Sequence, residues 1–262
     1  MGKTMVSRTL SVHKEHEFLL KVEAAGLTDE LAQRVIDSKG NNLATKVVKL
    51  IQNGGFEPTT SQKRAREIMG ENIFGIEEAI KHFGVNPTRQ QLAALSEIPF
   101  SEAVLEQSKD THVLVAVFPL SILEIRGKTE HIKLPNGQPL LYDQSWYNNE
   151  SFAKERGEVS WQLVRKTEVA NSICKNWQEQ QLLLGKDDEV PNAQVVVYTI
   201  IGHYLATDER LFEHIYVRTS CVGSNGGRVF VGDFDSRGLD VDYYYWDDGR
   251  RGRLGVSSAR KF

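Results

Sequence analysis

The chain has 262 residues, of which 40% are hydrophobic and 26% charged, and its formal net charge is −3. That length suits one large domain or two small ones, and the charge balance excludes a general electrostatic affinity for nucleic acid. Cys174 and Cys221 are the two cysteines, too few for a disulfide framework or a cysteine-based zinc site. Lys3, Arg8, His13 and Lys14 interrupt any secretory apolar region, and no stretch approaches the eighteen or so apolar residues of a membrane span. The expectation is a reduced, soluble, cytoplasmic protein with no cofactor, no bound metal and no membrane contact.

Residues 1 to about 110 read as helices. His16–Ala25 is a helix ended by Gly26. Thr28 is an N-cap for the next, with Asp29 and Glu30 where the helix dipole favours carboxylates. Leu43, Val47, Val48 and Ile51 mark a third, closed by Asn53-Gly54-Gly55. Pro58 to Ser61 reads as a linker and a new cap. Helices are then predicted over 62–69, 76–83, 88–95 and 99–107. We divide this part into an N-terminal helical segment, 1–56, and a helical connector, 57–110, packed on the next domain, and expect 1–110 to serve partner docking or self-association.

The character changes at His112. HVLVAVFPLSILEI is rich in β-branched and apolar residues and reads as a buried strand, with Pro119 at its end. Residues 127–158 read mostly as loop, anchored by Trp146 and Tyr147. A strand is predicted over 159–166, helices over 176–184 and 191–205, and strands over 214–220, 228–234, 239–245 and 254–261. Helices and strands that do not alternate one for one point to an α+β fold with an antiparallel sheet. The domain is placed at 111–262.

The last stretch, RVFVGDFDSRGLDVDYYYWDDGRRGRLGVSSARKF, holds two kinds of position. Val229, Val231, Gly232, Phe234, Gly238, Leu239, Val241, Trp246, Leu254, Gly255 and Val256 form a frame. Between them lie Phe230, Asp233, Arg237, Asp240, Asp242, Tyr243, Tyr244, Gly249, Arg251, Gly252 and Arg253. Tyr, Asp, Arg and Gly between core residues are what a recognition surface uses. These eleven are the candidate ligand-binding residues.

The order of frame and filler resembles the variable region of target proteins of diversity-generating retroelements. The resemblance rests on Val231-Gly232, Phe234-Asp235, Gly238-Leu239, Trp246-Asp247-Asp248 and Leu254 to Arg260. It implies a C-type-lectin-like domain, akin to the formylglycine-generating fold, whose region 228–262 is rewritten by adenine-directed copying. The diversified candidates it implies are Asp233, Asp240, Asp242, Tyr243, Tyr244, Gly249, Arg251, Gly252 and Arg253, and each of these residue types is reachable from an AAC codon by changing adenines alone. Lys, Glu, Gln and Met are not reachable that way, and none occurs between Arg228 and Arg260. The upstream blocks Ile68–Gly70, Ser160–Lys166 and Glu209–Glu213 also resemble proteins that carry such tails. The implied function is non-enzymatic binding of a protein or cell-surface ligand.

Other readings compete. An enzyme on the same fold, related to formylglycine generation or sulfur chemistry, would need a paired cysteine, and Cys174 and Cys221 are far apart in sequence. His203 and His214 are the local candidates for a base beside Cys221. An undiversified phage-type interaction module is the third reading. Asp233 to Asp242 has the alternating carboxylates of a calcium loop, but Arg237 and Tyr244 stand where ligands belong. Asp247-Asp248-Gly249 reads as a salt-bridged turn rather than an acid–base pair.

Overall fold

The computed structural model describes residues 10–38, 42–52, 59–244 and 250–261. The chain divides into two units, Met1–Glu57 and Pro58–Phe262. The first holds helices α1 (Val12–Ala24), α2 (Asp29–Ile36) and α3 (Asn42–Gln52). Thr28 caps α2 as its sequence suggests, its hydroxyl accepting from the Leu31 amide at 3.3 Å. The expected stop for α3 at 53–55 lies outside the described residues.

The second unit runs β1 (Thr60–Ser61), α4 (Gln62–Met69), β2 (Ile73–Phe74), α5 (Ile76–Phe83), α6 (Arg89–Ala94), β3 (Glu97–Ile98), α7 (Glu102–Ser108), β4 (His112–Val117) and α8 (Ile122–Thr129). After a 3-10 turn at Trp146–Asn149 come α9 (Ser151–Lys154), β5 (Ser160–Arg165), α10 (Trp177–Gln181), β6 (Asp188–Glu189) and α11 (Ala193–Thr207). β7 (Tyr216–Val222), β8 (Arg228–Asp235), β9 (Gly238–Tyr244), β10 (Leu254–Val256) and β11 (Ala259–Arg260) complete it. The fold is α+β. Among the described residues no helix is long and apolar enough to cross a membrane.

Two sheets share one core. The larger has the order β2-β4-β5-β11-β6, and the smaller β10-β7-β8-β9. β4 lies inside the first and every one of its residues is buried, which explains a continuous apolar run rather than an alternation. Helix α11 packs against β4 of one sheet and β8 of the other. It is buried on all sides from Ala193 to His203, the environment its predominantly apolar sequence demands. The Tyr198 hydroxyl, deep in this core, donates to the Ala116 carbonyl at 3.1 Å. α4 to α7, expected as a connector, belong to this unit: the Trp161 indole donates to Leu95 O at 3.0 Å, and Asn72 Nδ2 to Lys109 O at 2.7 Å.

Three expectations are corrected. The strand from His112 ends at Val117, close to Pro119 as expected, but the helix that follows it was not expected. Ser121 and Glu124 form a reciprocal capping box that starts α8, so 122–129 is helix. The sheets are mixed rather than antiparallel, because β10 runs parallel to β7 and β2 parallel to β4. The last predicted strand is two. β10 adds to the smaller sheet, the chain crosses at Ser257-Ser258, and β11 pairs antiparallel with both β5 and β6 in the larger one. The crossing is held by Ser257 Oγ donating to Arg218 O at 2.7 Å and by the Arg165 amide donating to Ser258 O at 2.9 Å.

Candidate functional site

Register decides what each strand of the smaller sheet presents. Cross-strand partners share a face. Val217 pairs with Val231 and Val231 with Val241, while Val229 pairs with Tyr243. This is the inner face, and all four valines are fully buried. The outer face carries two rows: Leu254, Tyr216, Gly232 and Asp240, then Val256, Arg218, Phe230 and Asp242.

A bulge tailors the outer face. The β8–β9 register shifts between Gly232 and Asp235, and Asp233 has φ 48°. Simple alternation would turn Asp233 inward after the outward Gly232. The extra residue instead keeps Asp233 with the outer groups and sends Phe234 into the core, edge-on to Tyr204 at 5.1 Å.

Tyr216 centres the cluster that results. Its hydroxyl donates to Asp240 Oδ2 at 2.7 Å and lies 3.3 Å from Asp233 Oδ2. Burial, and then hydrogen bonding to Asp240, raise this phenol above its ordinary range, so it stays a donor. Asp233 takes a second charge-assisted bond from Arg237 Nη2 at 3.2 Å and a close one from Arg253 Nη2. Arg237 also reaches Asp235 at 3.0 Å, and Arg253 Nε donates to His214 O at 2.9 Å. Gln144, from the long loop, donates to Asp240 Oδ1 at 2.6 Å and to Val241 O at 2.7 Å.

Toward β10 the face is roofed by residues 168–184. Arg218, 1% exposed, donates to Lys175 O at 3.0 Å and Gln180 Oε1 at 2.7 Å. The Arg228 guanidinium lies 3.8 Å above the Trp177 ring centroid, and Arg250 meets Glu179 at 2.8 Å. The open part of the face is therefore the side carrying Asp240, Asp242, Arg237, Arg251, Gly252 and Arg253.

The eleven candidates separate accordingly. Arg237, Arg251, Gly252 and Arg253 are exposed, and Asp240 and Asp242 half-buried on the outer face. Two expected surface residues are buried. Phe230, 4% exposed, stacks edge-on against Tyr216 at 5.1 Å, and Asp233, 6% exposed, is enclosed by its two arginines and Tyr216. Tyr243 faces the other way, against Trp146 at a centroid distance of 4.6 Å, because its partner is the inward Val229. Tyr244 ends β9, but its side chain, Gly249 and the frame residue Trp246 lie outside the described residues. The sequence reading missed Tyr216, Gln144 and Arg218. An Arg in HIYVRTS was the available signal of an outward, polar strand face.

Burial is the largest influence on Asp242 and raises its carboxyl pKa from the ordinary 3.8, with Asp240 adding to it; the Tyr243 amide and Arg251 act the other way. A raised folded-state value means that Asp242 favours the fold below 3.8, and that this contribution is lost as pH rises through the folded value. Asp242→Asn is accordingly expected to leave stability at pH 7 equal or higher, and to flatten the pH dependence just above 3.8. Chemical denaturation from pH 3 to 8 checks this, and a clear loss of stability at pH 7 would contradict it.

The other candidate chemistry is less favourable. Burial raises the Cys221 thiol above its ordinary range, opposite to what a nucleophile needs, and its sulfur accepts the Ala193 amide at 3.3 Å. Cys174 is exposed. His203 is buried and held by Glu209 at 2.7 Å, and Lys166 Nζ bonds the same carboxylate oxygen at 2.7 Å and Asn72 at 3.0 Å. That set ties the end of α11 to β5. The carboxylates of Asp233, Asp235 and Asp240 are engaged by Arg237, Arg253, Tyr216 and Gln144, that of Asp242 accepts from the Tyr243 amide, and among the described residues no group of three His, Cys, Asp or Glu is arranged to hold a metal. An open depression of about 510 Å³ lined by Arg66, Glu78, Lys81, His82 and Asp208 shares no residue with the sheet face, and its Arg66–Glu78 pair closes on itself at 2.7 Å.

Comparison with protein-family models, with curated proteins and with solved structures finds no match to the chain.

Proposed function

We propose that the protein is a non-enzymatic ligand-binding protein, whose outer sheet face is a variable recognition surface of the kind made by diversity-generating retroelements. The lectin-like assignment of 111–262 is part of the same proposal. One observation carries it: the fold separates a fully buried row, Val217, Val231 and Val241, from an exposed group, Arg237, Arg251 and Arg253, with the half-buried Asp240 and Asp242 beside it, within the same short strands and their loops. A surface that accepts many side chains must stand clear of packing, since exposed substitutions usually change stability by no more than about 0.5 kcal/mol. Arg supplies forked hydrogen bonds and Asp an acceptor, the chemistry of a polar patch on a protein or cell-surface ligand.

Phe230 and Asp233 are removed from the contact set by this reading; they support the surface from below. The DNA beside the gene tests the retroelement origin. The proposal expects a near-copy of the 3′ end, differing where adenines in the copy are replaced in the gene, next to a reverse transcriptase. Substitutions centred on the codons for 237–253 are expected, with codons 229, 231 and 241 unchanged. Absence of such a repeat would overturn the retroelement origin, leaving the surface to be tested as a fixed one.

A further inference from the structure

Among its described residues the N-terminal unit has helices but no buried core: none of those residues is buried. Eleven of the sixteen exposed large hydrophobic side chains among the described residues belong to it, including Phe18, Leu20, Leu31, Ile36, Val48 and Ile51. Ile36 is 72% exposed and Ile51 60%. Ordering a residue costs about 1–2 kcal/mol of conformational entropy, and helices of 8 to 13 residues do not meet that cost without tertiary burial.

α2 and α3 do pack on each other as a helical hairpin. Their apolar residues, however, cover a wider arc than one seam uses. On α3, Leu43, Val47 and Leu50 share one stripe while Val48 lies well round the helix; on α2, Leu31 and Val35 align while Ile36 is displaced the same way. Apolar surface left on both helices of a hairpin is the kind of surface that a four-helix bundle buries.

We propose that this surface is covered by a second copy of this chain, paired through α2 and α3. Charge favours that occupant. Val12–Ile36 carries five carboxylates against three Lys and Arg, whereas Asn42–Gln52 carries two lysines and no carboxylate. A two-fold arrangement that lays α3 of one copy along the acidic helices of the other repeats, between copies, the match of charge within the hairpin. Met1–Glu57 as a whole holds eight Lys and Arg against seven Asp and Glu, so nothing in its charge selects a nucleic acid or an anionic membrane. A dimer would also present two ligand surfaces and gain avidity from them.

Light scattering on the full chain tests this. The expected mass is twice 29.6 kDa, falling to 29.6 kDa in the Ile36→Glu/Val48→Glu/Ile51→Glu variant with the thermal transition of 58–262 unchanged. Because that variant also risks unfolding the helices, Lys46→Glu supplies a gentler probe at an exposed site. It should keep the helical circular dichroism and raise the dimer dissociation constant about threefold, the scale of one surface charge pair lost at each of two symmetric contacts. A full chain that stays monomeric at about 100 μM, well above the micromolar range of ordinary self-association, would overturn the proposal. A dimer that survives the triple substitution, or a Lys46→Glu chain with an unaltered dissociation constant, would overturn it as well.

Discussion

Removal of Leu254–Phe262 is expected to abolish cooperative folding of the second unit. Leu254, Val256 and Ala259 are each no more than 2% exposed. Truncating one large buried side chain costs about 2–5 kcal/mol, and whole domains are stable by about 5–15 kcal/mol. The loss reaches beyond area. β11 is the strand between β5 and β6, so its removal leaves both unpaired along that side. β10 shields one edge of β7, and Ser257 satisfies the carbonyl of the buried Arg218. A chain ending at Arg253 should show no unfolding transition in urea and no fixed aromatic environment. A cooperative transition in that chain would show that the two sheets do not depend on this shared segment.

Gly232→Ala is the second change with a large expected effect. Gly232 has φ +151°, and an added Cβ would sit 2.1 Å from Ile215 O and 2.8 Å from Tyr216 Cα. Both obstacles are backbone at the start of the neighbouring strand, so no side-chain rotation relieves them. The cost is expected to be about 3 kcal/mol or more, the upper range for overpacking, because β7 and β8 must part where the bulge begins. Gly252→Ala is the matched control. Gly252 has nothing within 4 Å of its added Cβ and should tolerate the change within about 0.5 kcal/mol. Comparable midpoints for the two variants in chemical denaturation would contradict this account of the sheet.

Much of the fold was legible where signals are local. The helices at 62–69 and 76–83 have the bounds that Ser61 and Gly84 set, and Thr28 and Thr88 cap as their spacing suggests. α8 was also legible in Ser121-Ile122-Leu123-Glu124, but the apolar run from His112 outweighed the capping box. What was not legible is non-local. Leu254 to Lys261 begins apolar, at Leu254 to Val256, and nothing within it says that it serves two sheets; the partners, β7, β5 and β6, lie far away in sequence. Alternation placed Val231 and Val241 inward as found. It failed at Asp233 because one bulged residue resets the count. Phe230 occupies the outer face as the alternation requires, yet Tyr216 from the adjacent strand covers it. Exposure of a face and exposure of a residue on that face are different properties, and only the first can be read from period two.

The claim that the outer face is free to vary is tested most directly by a substitution scan read by folding. Libraries at Arg237, Asp240, Asp242, Arg251 and Arg253 would be compared with libraries at Val217, Val231 and Val241, sorted for soluble, protease-resistant chains. The account predicts that most residue types survive at Asp242 and Arg251, with Asp240 restricted because Tyr216 and Gln144 both bond it, and Arg237 and Arg253 restricted as a pair because both neutralise the buried Asp233. At the valines, only similar apolar residues should survive. Equal intolerance at the two sets would contradict the claim, since a surface that must keep its own side chains to fold has no freedom to present others.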